Sequence, residues 1–558
     1  MTLACLIIAA ATWYPAADWK DEPSPVASLR AQRGGTIRFN GGQPPKSYNA
    51  YVDNNTYTRM TFDLMYENLL STDPVTMEFC PGLARRWAVS EDGREFTFEL
   101  DERARWSDGR PIEAADVKWT FDAIMDPKSD TGPWKTQLGT FESPEIVDKR
   151  TVVMRKKGDS PKTWRDLLTC GFFWILPRHA FSDRAFNSVS PVGMPVSGPY
   201  RLAHVDEQVE SEFRRSPSWW REGMPSSRGV CNFDRIVLRY FADNENAFEA
   251  LKKGRIDVYP VYSARIMTEG TKGEQFARNW ILKRRVRNRE PIGYQGFAMN
   301  MRRPPFDKLA VRQAMAKLVD RETMNRTMMS GAYFLLRSYY TDLYDESHPC
   351  ANTQWTYDVE GAKRLLAEAG YKDGFSFKFL SRSGGEDKFL ALFDHALREC
   401  GVRMEIVRKD FASWMRDMDS FNFDMTWAAW GASVFRNPEA QWHSGEGKRP
   451  GGNNICGLDI PEVDRIVEEE KGMMSVAERA DAYRRIDRLV TDAVPYVLLW
   501  HTDEHRILYW NKFGMPEQPL GVYGDESAIL SCWWHDPDRA DELKRARGEG
   551  KCLPTTTN

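Results

Sequence analysis

Between Gly82 and Phe121 the chain reads GLARRWAVSEDGREFTFELDERARWSDGRPIEAADVKWTF. This stretch restricts local structure more tightly than any other. Glu91-Asp92-Gly93 is a turn, because a glycine after an aspartate supplies the positive φ that tight turns need. Glu95 to Leu100 alternates polar and apolar side chains, the period of a half-buried strand. Trp106-Ser107-Asp108-Gly109 turns the chain again. Pro111 and the acids of Glu113-Ala114-Ala115-Asp116-Val117 then open an amphipathic helix, where the macrodipole favours negative charge. Local physics alone yields a strand, a turn and a helix.

The rest of the chain repeats this alternation without a short-period repeat or a low-complexity tract. Residues 36–40 read as a strand followed by a Gly-Gly-Gln-Pro-Pro loop, and 58–70 are apolar at helical spacing. Residues 116–125 form a helix stopped near Pro127. Ser197-Gly198-Pro199-Tyr200-Arg201-Leu202 turns into a strand, and 234–241 is a buried strand. A helix over 244–253 ends at Gly254 and leads into a short strand over 256–259, a unit that implies a parallel or mixed sheet. Farther on, strands are expected at 296–300, 375–380, 402–407, 423–430 and 496–500. Helices are expected around Val311-Arg312-Gln313-Ala314 and at 358–370, 388–400, 461–470 and 476–492. The β-α alternation points to a second α/β lobe.

With 558 residues the chain is too long for one core and calls for two or three domains. Its 77 basic and 80 acidic residues leave a net charge of −3, which argues against a nucleic-acid surface. Most of the 20 tryptophans belong in cores, with a minority left to line a ligand cleft. Residues 3–11 are apolar but far short of the roughly 20 that span a bilayer. They suit the hydrophobic part of an export signal, with Ala16-Ala17 near a cleavage point, although no Lys or Arg precedes them. The run continues past Cys5, which argues against a lipoprotein cysteine there. No other segment reads as transmembrane, and 18–32 read as a flexible lead-in. If Cys5 leaves with the signal, eight of the nine cysteines remain, an even number that permits disulfides without fixing their connectivity. None forms a CxxC pair, which argues against a zinc ribbon or a thioredoxin-type site.

The Gly-Leu-Ala, Trp87, Ser90-Glu91-Asp92-Gly93, the alternating strand, Trp106-Ser107-Asp108-Gly109-Arg110-Pro111 and Ala115-Asp116-Val117 together resemble the signature of the family 5 extracytoplasmic solute-binding proteins, the peptide-binding subunits of ABC importers. Asn300, Pro305-Phe306 and Val311-Arg312-Gln313-Ala314 extend the resemblance, which covers about 34–541. The narrower likeness is to the long microcin C-type peptide binders. It rests on Tyr200-Arg201, Trp219-Trp220, Asn232-Phe233-Asp234-Arg235-Ile236, Gly331-Ala332-Tyr333, the run from Pro450 to Gly457, and Tyr509-Trp510-Asn511-Lys512-Phe513-Gly514.

The resemblance implies an α/β, two-lobed periplasmic binding protein fold with a hinge and an extra inserted domain. Domain I is expected at about 34–50, 190–289 and 491–545, domain II at 51–189 and domain III at 290–490. Residues 1–33 would be signal and lead-in, 546–558 a flexible tail, and the hinge crossings would fall near 289 and 491. Such a monomer would close on a peptide or peptide-like solute outside the cytoplasm. It would hand that solute to permease subunits in the inner membrane, reach the ATPase subunits only through them, and use no cofactor. Oligosaccharides or other non-peptide solutes on the same fold are the alternative.

The resemblance also directs attention to a ligand-lining set. Tyr48 and Asn49 follow the first strand. Asn300 and Arg302 end another, where Arg302 would either fork onto a ligand carboxylate or make a structural ion pair. Trp427 and Trp430 would stack on a ligand ring or pack in the core. Asn453 and Asn454 would pair with a ligand backbone or simply form a turn. Many relatives carry an aspartate for the peptide amine where this chain has Ser433. A hydroxyl cannot neutralise a buried ammonium, so either another acid does that work or the amine is not read.

One motif suggests an enzyme instead. His501-Thr502-Asp503-Glu504-His505 matches the H-x-x-E-H of zinc proteases, which requires one helical turn. The flanking Val, Leu, Tyr and Trp favour strands, where residues four apart lie about 13 Å from each other, too far for one metal. Paired carboxylates for glycoside hydrolysis have no distinguishing spacing among 80 acids. No G-x-S-x-G, P-loop or G-x-G-x-x-G pattern occurs. The chain is therefore expected to bind its ligand and return it unchanged.

Overall fold

The computed structural model describes residues 12–53, 55–158, 163–182, 185–187, 192–261, 265–382 and 386–555. The signal-like run at 3–11, with Cys5, lies outside them. The chain forms two compact units, one of Met1–Asn288 with Glu504–Asn558, the other of Arg289–Asp503.

The first unit is built on a seven-stranded mixed sheet, ordered Ile281–Val286, His505–Trp510, Val258–Pro260, Thr36–Asn40, Arg235–Arg239, Glu210–Arg215 and Tyr200–Asp206. Thr36–Asn40 runs parallel to both neighbours, and every other pair is antiparallel. The parallel pairs follow from the expected strand-helix-strand unit. Its helix, Asn244–Lys252, starts where the Asp243 side chain accepts the Asn246 N–H. A second sheet, all antiparallel, is ordered Thr12–Tyr14, Ala84–Val89, Glu95–Leu100, Thr151–Arg155 and Glu145–Ile146.

The opening motif is spent on this second sheet and its helix. Phe96, Phe98 and Leu100 are fully buried, and so is Trp106. Glu113 and Asp116 form a reciprocal capping box at the start of Ala114–Met125. The expected flexible tail from 546 is not what forms. Helix Pro537–Glu549 carries buried Ala546, Gly550 ends it in the left-handed region, and buried Leu553 donates to the Arg278 carbonyl.

The second unit holds a five-stranded sheet, ordered Arg403–Lys409, Ser376–Arg382, Met425–Trp430, Tyr294–Met299 and Tyr496–Leu498. The first three strands are parallel and the rest antiparallel. Both faces are covered. Phe297, Phe379, Phe393 and Leu397 pack on one, and Tyr294, Leu380, Trp442, Ile466 and Ile486 on the other. Each such side chain contributes about 1.5–3 kcal/mol on burial. The unit ends at Asp503, beyond the expected 491, because Tyr496–Leu498 is hydrogen-bonded to Tyr294–Met299 and belongs to this sheet.

Two buried arginines in this unit are held by main-chain carbonyls. Arg312 donates to Ala493, Phe306 and Asp307, and Arg321 to Leu336, Leu498 and Trp355. Burial lowers both pKa values, Arg321 to about 10. The cysteines at 80, 170, 231, 350, 400, 456, 532 and 552 are all free thiols, so the disulfides that their even number allowed are not formed in the structure.

Candidate functional site

The residues with ligand chemistry converge on the first unit. Helix Thr56–Met65 starts at Asn55, whose side chain accepts the Thr58 N–H. Thr58, Thr61, Phe62, Leu64 and Met65 are buried. Thr56, Tyr57, Arg59, Met60 and Asp63 line a pocket of about 800 Å3, and Glu67 extends that line past the helix end. Phe39 and Pro260 also line it, each at or next to the carboxyl end of a strand in the parallel part of the sheet. In open α/β sheets ligands bind at these ends. Trp219, Cys231 and the segment from Asp525 to Ser531 complete the lining. Gly42 lies just beyond the first strand with φ +66°, and a Cβ there would stand 2.4 Å from the Tyr57 ring. The loop can close over the ring only with glycine at this point.

Four carboxylates and one guanidinium line the pocket. Asp63 is open to solvent yet crowded by protein, and that crowding pushes its pKa up to about 6, against the Trp174 indole N–H at 2.7 Å and nearby Arg59; Asp525 adds like-charge repulsion. Glu67 is also raised by burial, although Arg221 lies at 3.0 Å and the Trp220 indole at 2.5 Å. Glu526 faces His505 at 3.3 Å. Burial, then the charge of Glu526, raises the Tyr57 phenol.

The residues singled out from sequence are placed elsewhere. The Tyr48 hydroxyl lies 2.9 Å from that of Tyr240, and Tyr48 is buried. Asn49 accepts from Tyr51 N–H and donates to Phe186 O, holding its own loop. In the second unit Asn300 donates to the carbonyls of Phe421 and Phe423.

Arg302 corrects the carboxylate-fork expectation. Its Nε and Nη2 donate to Gly447 O, its Nη1 to Asn300 Oδ1 and Ile455 O, and its Nη2 also to Asn454 O. All five guanidinium donors are thereby used. The ion-pair alternative does not apply to these contacts either, since they are to neutral oxygens. The guanidinium also stacks 3.8 Å from the Phe421 ring centroid. Asn454 is fully buried, bonded to His443 O and Leu458, while Asn453 is exposed.

Trp427 donates to Gln295 Oε1 and packs edge-on against Phe297, Phe389 and Trp500. Trp430 donates to the Tyr496 hydroxyl at 3.0 Å. Both are half-buried. Ser433 is exposed and accepts the Phe435 N–H. His501 and His505 sit on the strands Trp500–His501 and His505–Trp510, and Glu504 pairs with Arg506 at 2.9 Å. Among the described residues no group of three or more His, Cys, Asp or Glu is placed to hold a metal.

Sequence reasoning missed Asp63, Glu67, Asp525 and Glu526. Asp63 is on the helix and Glu67 lies just past its end, but nothing in the sequence places them beside residues near the other end of the chain.

The model of the bacterial extracellular solute-binding proteins, family 5 (Middle), matches residues 78–451, and the chain belongs to that family. It is 26% identical over 511 residues to the putative binding protein BRA0576/BS1330_II0571 of Brucella suis, covering 81% of this chain and 80% of that one. It is 26% identical over 573 residues to the peptidoglycan-binding protein YepA of Agrobacterium fabrum, covering 91% and 92%. Among solved structures it is similar to the ABC transporter-associated periplasmic binding protein DppA from Helicobacter pylori in complex with the peptide STSA. That likeness has a TM-score of 0.65 at 17% identity, over 90% of this chain and 99% of that one. The fold is therefore the two-lobed α/β fold of solute-binding proteins, and the family is extracytoplasmic. No helix among the described residues is long and apolar enough to cross a membrane.

Proposed function

We propose that this chain captures oligopeptides or peptide-like compounds outside the cytoplasm and delivers them, unchanged, to the permease subunits of an ABC importer in the inner membrane. On this reading the run at 3–11 is its export signal. The reading is carried by the pocket of about 800 Å3 at the carboxyl strand ends of the first unit, on a chain whose family binds solutes. Its size lies within the range of sites that enclose small ligands. A DppA–STSA complex and a protein named for peptidoglycan binding among the relatives support a peptide-like ligand.

The test is mass spectrometry of small molecules released from gently purified protein, followed by thermal shift with the compound found. A true ligand at a hundredfold excess over its dissociation constant stabilises by about 2.7 kcal/mol and is recovered intact. Recovery of a cleaved product, or co-purification of sugars alone, would refute the proposal.

A further inference from the structure

We propose that the pocket of the first unit takes an organic cation, an alkylammonium or guanidinium borne by the ligand, between Asp63 and Asp525, with the rings of Tyr57 and Trp219 alongside. The body of that ligand rests on the peptide-like reading above; the cation follows from the pocket itself.

The argument starts from the cavity. It is a concave space of about 800 Å3, walled by aromatic rings as well as acids, not an acidic patch on a convex surface. Within it the charges are unbalanced. Glu67 is answered by Arg221 and the Trp220 indole, and Glu526 lies 3.3 Å from His505 Nδ1. Asp63 receives the neutral indole N–H of Trp174, and Asp525 the main-chain N–H of Ser527. Neither has a salt-bridge partner among the described residues, although Arg59 lies one turn before Asp63 on the same helix. Asp525 is a like charge near Asp63, although burial is the main cause of the raised Asp63 pKa, and the indole and Arg59 oppose it more strongly than Asp525 adds to it.

Two like charges at a site shaped for a ligand are best relieved by an arriving positive charge, and the surrounding rings add the attraction of their faces for a cation. Tyr57 is held in place by the loop at Gly42, where no side chain fits. In the second unit, Trp427 to Ser433 carries no charged side chain and Arg302 has no donor left.

The intact protein is titrated calorimetrically with four peptides: tetra-alanine, N-acetyl-tetra-alanine, N-acetyl-Ala-Lys-Ala-Ala and N-acetyl-Ala-Glu-Ala-Ala. At least one cation-bearing peptide is expected to bind tenfold or more tighter than the neutral and acidic ones. The tetra-alanine and lysine arms distinguish a terminal amine from a side-chain amine. In the D63N/D525N variant that preference is lost. Asparagine keeps one carbonyl acceptor at each position for the Trp174 and Ser527 N–H groups, and should the pair nonetheless fail to fold, D525N alone is expected to lose at least threefold of the preference. A preference that survives the substitutions, or no preference in the parent, overturns the proposal. If no peptide of any charge binds, the peptide reading falls and the pocket is judged by cadaverine and arginine amide. A thermal shift in the parent that is absent from the variant upholds the cation site, and no shift in either overturns it.

Discussion

Replacing Arg302 by alanine separates two roles that its position suggests, a ligand fork and a loop staple. The structure supports the staple. The guanidinium gathers the main-chain carbonyls of Gly447, Asn454 and Ile455 and the side chain of Asn300, and lies on Phe421. Removing it strands three carbonyls, each worth a net of about 1 kcal/mol when paired. Part of that loss returns, because the side chain is partly open and water can reach some of the oxygens, and because the cation's own desolvation cost, seen in its lowered pKa, disappears. The expected loss is about 2 kcal/mol. For a unit of roughly 200 residues this is about 4–8 °C in Tm. Scanning calorimetry should show the loss in the transition of the second unit, with the first unit unmoved. Arg302→Lys should recover only part of it, since one ammonium cannot reproduce a five-donor fork. Ligand affinity, measured below the transition, should stay within twofold. An unchanged Tm together with a tenfold fall in affinity would refute the staple and restore the fork.

Trp430→Phe should cost about 1–2 kcal/mol in urea unfolding, because the Tyr496 hydroxyl loses its indole donor, with affinity unchanged; a tenfold weaker complex would make Trp430 a ligand contact instead. Gly42→Ala should lower ligand affinity about tenfold, since its Cβ collides with Tyr57 and the backbone sits at φ +66°, and wild-type affinity in the variant would free Tyr57 from the site. For Asp63 the folded pKa of about 6 lies above its ordinary 3.8, so its contribution is present below pH 3.8 and is lost as pH rises through 6. Asp63→Asn should therefore raise the stability of the ligand-free protein at pH 7.5 by about 1 kcal/mol after solvent screening. That gain should fade by pH 4, as read from Tm across pH, with Arg59, Asp525 and the Trp174 indole as the facing groups. A gain that grows on acidification would reverse the assignment.

Much of the secondary structure was legible because it is locally determined. The alternation of Glu95–Leu100 and the helices at Asn244–Lys252 and Pro461–Glu470 formed at or within a residue of where the sequence pattern put them. The strand after Pro495 was also legible, but not its allegiance to the second sheet, which is set by hydrogen bonds to Tyr294–Met299. The candidate site was least legible. Residues chosen for their ligand chemistry, Asn49, Asn300, Arg302 and Asn454, spend that chemistry on their own loops. Polar side chains near buried main chain are drawn first to the oxygens and N–H groups left over by irregular backbone. The acids that do share a cavity come from Asp63 and Asp525, which only tertiary folding brings together. The tail was misjudged because its charged residues conceal two buried apolar ones, Ala546 and Leu553, that anchor it.

The arginines at 312 and 321 carry a consequence for the setting in which this protein works. A guanidinium held by carboxylates loses its counter-charge when the medium turns sour, whereas an amide oxygen has no proton to gain at any pH that life tolerates. Fastenings of this kind keep their grip across swings in acidity that would loosen an ion pair, which suits a member of a family that works outside the cytoplasm.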